Sequence, residues 1–258
     1  HSQDFIISIP HSGTWIPTSF KEKLQLGRDI LLDTELYTDE LYNLKKGTII
    51  LTKFNPYLVN MNRPRQPNLS QPAHLQKDPL HTLSLTGKTI LLKEQTEEEK
   101  DQLLAYYDAY HSALKQTIQE MKQQNGYALI FDCHALNSKA LANAPDKGKR
   151  PDFDVGTLDD TSADQEIIDA FTITLQKEAA PLTVEKNRPY KGGFITQSLA
   201  DPQNNIQVIQ LEVKKALFMD ECLEQGEDFT LNTENLKKIQ AIISKACDAA
   251  SKIIKKKN

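Results

Sequence analysis

The chain is short of cysteine and glycine, has no long apolar run and carries no large excess of either charge. Its 258 residues include three cysteines, Cys133, Cys222 and Cys247, odd in number and without a paired spacing. That argues against a disulfide framework and for reduced thiols in a cytoplasmic protein. No apolar stretch approaches the roughly 18 residues of a membrane span. No signal peptide is visible, because the first apolar run is too short and lacks a cleavage site. With 31 Lys and Arg against 35 Asp and Glu, the net charge is −4. Neither nucleic acid nor an anionic membrane surface is therefore an expected partner. Glycines are few, and Gly192-Gly193 stand alone, matching neither a dinucleotide nor a P-loop spacing. The final Lys255-Lys256-Lys257 run reads as a solvated helix end that complements the helix dipole.

What remains is a balanced composition, 39% hydrophobic and 26% charged. It suits a single α/β domain over residues 1–258 with an ample core. Apolar runs at 5–9, 48–53, 57–61, 127–132 and 206–213 read as strands. Residues 29–44 read as a helix. Thr96 with Glu99 forms a capping box, and Leu103, Tyr107, Tyr110, Leu114, Ile118 and Met121 then recur at helical spacing up to Gly126. Ser162 with Gln165 suggests a second capping box, opening a helix to about Ala179. A last helix covers about 233–254. The stretches 64–89 and 137–160 read as loops. Helices alternating with short apolar strands predict a largely parallel sheet covered on both faces.

Two strands run into histidines. Phe5-Ile6-Ile7-Ser8-Ile9-Pro10-His11 and Leu129-Ile130-Phe131-Asp132-Cys133-His134 each place an imidazole where an apolar strand meets a turn. Ligands of open α/β sheets bind at such strand ends. Two histidines and one carboxylate leave a fourth position open, the ligand set of a catalytic zinc ion. Asp33, Glu35 and Asp39 are the carboxylates on offer, and the pattern alone leaves the choice open. On a continuous helix, Glu35 and Asp39 would share a face. Glu212 ends another apolar strand, where burial would raise its pKa toward that of a general base. Asn62-Arg63-Pro64 offers a guanidinium able to clamp a carboxylate. Arg150, Arg188, Tyr190 and Lys191 are further candidates for gripping a substrate, and Gly192-Gly193 would let backbone approach it. Asp132 is expected on the side of the strand opposite His134, unless it turns to orient a ligand histidine. His111, on the capped helix, is expected to pack rather than ligate.

Taken in order, Ile9-Pro10-His11-Ser12-Gly13, Asp33-Thr34-Glu35, Asn62-Arg63-Pro64, Tyr110-His111, Phe131-Asp132-Cys133-His134, Pro151-Asp152-Phe153, Tyr190-Lys191-Gly192-Gly193 and Gln210-Leu211-Glu212 resemble the N-formylglutamate amidohydrolase family. The resemblance runs from about residue 5 to 250. It implies a phosphorylase/hydrolase-like three-layer α/β/α sandwich with a mixed, mainly parallel sheet. It also implies zinc-dependent hydrolysis of an amide on a small acidic N-acyl amino acid. By position it puts His11, Glu35 and His134 at the metal and Glu212 at the base. Arg63 would help stabilise the oxyanion, and with Asn62, Arg150, Arg188, Tyr190, Lys191, Gly192 and Gly193 it would bind substrate. Two positions depart from the family pattern: Glu35 stands where aspartate is usual, and Ala135 where serine is common. The competing readings are a carboxypeptidase- or aspartoacylase-like zinc hydrolase of another substrate, and a non-catalytic binder of an acidic small molecule.

Overall fold

A computed structural model describes residues 3–25, 27–66, 79–80, 83–84, 88–140, 146, 148–221 and 229–257. His74, His81 and Cys222 lie outside the described residues. Six strands, β1 Phe5–Ile9, β2 Gly47–Leu51, β3 Ala128–Leu136, β4 Phe153–Gly156, β5 Val184–Lys186 and β6 Ile206–Lys214, form one sheet in the order β2-β1-β3-β6-β4-β5. β2, β1, β3 and β6 run parallel, β4 pairs antiparallel with β6, and β5 is parallel to β4. The helices are α1 Thr18–Lys21, α2 Arg28–Asp33, α3 Thr38–Leu41, α4 Glu97–Asn125, α5 Gln165–Ala179, α6 Phe194–Leu199 and α7 Thr233–Lys257. The expected three-layer α/β/α sandwich with a mixed, mainly parallel sheet is what forms.

Side-chain alternation along the strands divides the core in two. Ile7 of β1, Leu129, Phe131 and Cys133 of β3, and Ile209, Leu211 and Val213 of β6 pack against α5 and α7. Phe131 sits 5.3 Å from both Phe5, edge-on, and Phe171 of α5, stacked. The opposite face sets Ile6, Ile130 and Val208 against Leu103, Tyr107, Leu114 and Ile118 of α4 and Ile195 of α6.

α4 begins as the sequence predicts. The Glu99 amide donates to the Thr96 hydroxyl at 3.3 Å, and the Thr96 amide donates to the Glu99 carboxylate at 2.7 Å. Gly126, at φ 80°, ends it.

Five expectations change. The helix over 29–44 is broken into α2 and α3, because the Thr34 hydroxyl donates to the Ile30 carbonyl at 2.7 Å and the Glu35 amide is drawn to the His11 carbonyl at 3.0 Å. Residues 57–61 are a buried turn and not a strand; the Asn55 side chain accepts the Tyr57 amide at 3.0 Å and the Asn55 carbonyl accepts the Leu58 amide at 2.9 Å. The stretch 137–160 contains β4. The N-cap of α5 is Asp164, because the Ser162 hydroxyl is taken by the Val208 carbonyl at 2.6 Å. β3 also continues to Leu136, so His134 lies inside the strand.

Candidate active site

On the face of the sheet that meets α4 and α6, the registers align side chains into rows. The first row, Ile6, Ile130 and Val208, is apolar. The next is Ser8, Asp132 and Gln210, and beyond it come His134, Glu212 and Asp154. All six of these polar residues are buried. Asp132 and His134 are two residues apart and therefore share a face, which corrects the expectation that they diverge. Asp132 Oδ1 lies 3.3 Å from His134 Nε2 and accepts the Ser8 hydroxyl at 3.2 Å. Its Oδ2 accepts the Thr196 hydroxyl at 2.9 Å, and Ser8 Oγ in turn meets the Tyr110 hydroxyl at 2.9 Å.

The break between α2 and α3 carries Glu35 into this face. Glu35 Oε1 lies 2.8 Å from His11 Nδ1 and 3.2 Å from His134 Nδ1, and Oε2 accepts the Ala135 amide at 3.0 Å. The two imidazole centroids are 5.0 Å apart. The structure thus brings together the two expected histidines and Glu35. Asp39 is exposed on α3, and the side chain of Asp33 is outside the described structure. At position 135 only the backbone amide reaches the cluster.

His11, Glu35 and His134 offer ligand atoms that all lie within 4.8 Å of one another, so the group could hold a metal ion. Donors sharing one tetrahedral ion at roughly 2.0–2.1 Å would stand about 3.3 Å apart, near the 2.8 and 3.2 Å between Glu35 Oε1 and the two imidazole nitrogens. A second observation supports the fit. His11 Nε2 faces the Asn60 side-chain oxygen at 2.8 Å, and that oxygen also accepts the Asn62 amide at 2.8 Å. An amide oxygen only accepts, so the proton sits on Nε2 and the Nδ1 lone pair points at the Glu35 carboxylate. Two acceptors facing across 2.8 Å need a cation between them, a proton or a metal.

The carboxylates are driven apart in pKa. Burial alone would raise Glu35, but the neighbouring His134 and His11 outweigh it and hold the carboxyl well below the usual range. Burial pushes Glu212 the other way, up to about 8; the opposing pull of His134 is offset by Glu35, Asp154 and Asp132. Burial likewise raises Asp154 to about 6, against the two backbone amides it accepts. Two buried carboxyls of opposite tendency beside two imidazoles suit paired roles, one as anionic ligand and one as proton carrier.

Asn62 is locked over His134. Its Oδ1 accepts the Ile195 amide at 2.8 Å, leaving Nδ2 3.2 Å from His134 Nε2. A Cβ at Gly193 would stand 2.3 Å from Asn62 Nδ2, so any side chain there would displace Asn62 from His134. Gly192, at φ 134°, packs against Leu158.

The cations divide clearly. Arg150 is buried but engaged: Asp146 takes Nη2 and Nε at 2.7 and 3.0 Å, the Asn137 carbonyl takes Nη1 at 2.9 Å, and the Tyr190 hydroxyl lies 3.2 Å from Nη2. Arg188 pairs with Glu185 at 3.0 Å and Lys191 with Asp159 at 2.8 Å, all largely at the surface. Arg63 is partly buried and donates to the Asn62 carbonyl at 2.8 Å; among the described residues it pairs with no carboxylate. Burial lowers its pKa, and the nearby Tyr190 counters this. His111, as expected, packs: its Nε2 donates to the Met61 carbonyl at 2.9 Å.

Asn60 and Asp154 escaped the sequence reading, and Gln210 was named in a motif without a role. Gln210 was open to it through strand alternation, since it has apolar neighbours on both sides, whereas Asp154 stands on a strand of four residues.

Fold and site together define a three-layer α/β/α protein with a candidate His-Glu-His metal centre beside a buried glutamate. A family model for N-formylglutamate amidohydrolase matches residues 3–219, and the chain belongs to that family. It is 26% identical over 252 residues to the N-formylglutamate deformylase of Pseudomonas putida, covering 95% of this chain and 91% of that one. To the N-formylglutamate deformylase of Pseudomonas aeruginosa it is 25% identical over 236 residues, covering 84% and 82%. The crystal structure of N-formylglutamate amidohydrolase from Ralstonia eutropha superposes with a TM-score of 0.83 at 18% identity, covering 100% of this chain and 96% of that one. A gene product of Agrobacterium tumefaciens gives 0.64 at 16%, covering 97% and 90%. These two likenesses concern the fold.

Proposed function

We propose that this chain is a zinc-dependent amidohydrolase that removes the formyl group from N-formylglutamate or a closely similar N-acyl acidic amino acid. The observation that carries the reading is the register that sets Glu212 beside His134, with His134, His11 and Glu35 clustered around one point. Family membership and the names of the Pseudomonas relatives supply the substrate class.

His11, Glu35 and His134 would hold the metal, which when bound supplies Lewis acidity and makes water nucleophilic near neutral pH. Asn60 fixes the His11 tautomer, while Asp132 accepts from His134 Nε2 and orients that ring. Glu212 takes a proton from the attacking water onto a carboxylate oxygen and delivers it to the leaving amine nitrogen. Water and the formamide become formate and the free amine of the amino acid. Arg63 presents its guanidinium to the negative charge of the substrate, whether a side carboxylate or the developing oxyanion. Arg150, held by Asp146, supports the site through Tyr190, and Arg188 and Lys191 stay at its rim.

The test is a substrate panel with metal-loaded protein: N-formylglutamate, N-acetylglutamate, N-formylalanine and a formylated peptide. The reading expects turnover of N-formylglutamate with the highest kcat/KM of the set. Preference for the peptide would favour a carboxypeptidase-like reaction, and calorimetric binding without turnover would favour a binding protein.

A further inference from the structure

Asp154 is fully buried on β4, directly across from Glu212 of β6. Among the described residues it has no cationic partner. Its two oxygens are instead spent on one short loop: Oδ1 accepts the Arg188 amide at 2.9 Å and Oδ2 the Tyr190 amide at 2.7 Å. The residue between them, Pro189, has no N–H to offer, so the carboxylate brackets it. The same loop is tied down again at its far end, where the Gly193 amide donates to Gln210 Oε1 at 2.7 Å. Gln210 Nε2 then donates to Glu212 Oε1 at 3.3 Å. Burying an unpaired carboxylate is costly, and here only the loop amides offset it. A surface turn needs no such anchor.

What the loop carries explains the anchor. The Tyr190 hydroxyl contacts Arg150 Nη2 at 3.2 Å and feels the charge of Glu212. Arg63, which pairs with no carboxylate among the described residues, feels Tyr190 in turn. The loop therefore reaches Arg150 through Tyr190 and, at Gly193, stands against Asn62 beside His134.

We propose that Asp154 is a positioning residue that holds the Arg188–Gly193 loop as the substrate-facing wall of this site, setting affinity for the acidic substrate rather than the rate of the chemical step. The role rests on the deformylase reading above. In Asp154→Asn the amide keeps one acceptor oxygen and turns an NH2 toward the other backbone N–H, so one of the two anchors is lost.

The experiment measures kcat and KM for N-formylglutamate, zinc content, and hydrogen exchange at the Arg188 and Tyr190 amides, in wild type and Asp154→Asn. Losing one charge-assisted bond should speed exchange at these amides and raise KM by about tenfold or more, with kcat within about threefold and zinc content unchanged. Tyr190→Ala leaves the clamp in place and should reproduce the rise in KM; it carries the test should Asp154→Asn fail to fold. An unchanged KM in a variant whose loop amides have loosened, an unchanged KM in Tyr190→Ala, or a fall in kcat at constant KM would overturn the positioning role. Wild-type protein that does not turn over N-formylglutamate would overturn the reading of the reaction instead, a result separable from the exchange measurement.

Discussion

The two faces of β3 and β6 make different use of the same strands. On the face toward α5 and α7, Leu129, Phe131, Cys133, Ile209, Leu211 and Val213 are uniformly apolar and buried. On the other face, Ile130 and Val208 begin in the same way, but Asp132, His134, Gln210 and Glu212 follow. One face holds the sheet together along its whole length, and the other gives up half of that task to chemistry. Such a site is stable because its polar atoms find partners: Ser8, Thr196 and the loop amides satisfy them. Rigidity from the apolar face is what lets the polar face keep a fixed geometry.

Substitutions on either face should separate the two roles. The largest effect on catalysis is expected from Glu212→Gln, which should lower kcat by about 10²–10⁴-fold and leave melting temperature and zinc content intact. Under the proposed mechanism Glu212 must be ionised to accept a proton, so kcat/KM in wild type should rise with pH along an acid limb. With the carboxyl pushed up to about 8 by its surroundings, and a bound cation pulling it down, that limb should lie at or below pH 8. It should vanish in the glutamine variant.

Phe131→Ala attacks the other face. Loss of a buried phenyl between Phe5 and Phe171 should cost about 3–5 kcal/mol in denaturant unfolding, while the folded fraction keeps its zinc. A variant that lost its metal before it lost its fold would blur the division. Arg63→Met should raise KM about 10–100-fold, the worth of a charge-assisted contact, whereas Arg188→Ala and Lys191→Ala, whose surface pairs contribute little, should shift it less than about threefold. The smallest effect is expected far from the site: Thr96→Ala should cost about 1 kcal/mol through the lost cap of α4, with kinetic constants unchanged.

What could be read from the chain follows the range of the bonds involved. The capping box at Thr96 and Glu99 is local, so its sequence signature is faithful. The similar pattern at Ser162 and Gln165 misleads because a distant carbonyl, that of Val208, takes the serine hydroxyl. Glu35 could not be chosen over Asp33 or Asp39 from helical spacing, since the helix is broken by a bond to the His11 carbonyl 24 residues away. The rows that align Glu212 with His134 and Asp154 depend on strand order and register, which no single segment encodes. The histidines were legible because each stands beside a strong apolar strand. β4, four residues long, was too short to stand out from the loop around it.

The central claim is that His11, Glu35 and His134 form one metal site, and metal stoichiometry tests it most directly. Wild-type protein incubated with zinc and dialysed should retain about one zinc per chain, and His134→Ala should retain none while remaining folded. Wild type that keeps no zinc and hydrolyses N-formylglutamate undiminished in the presence of a strong chelator would contradict the account.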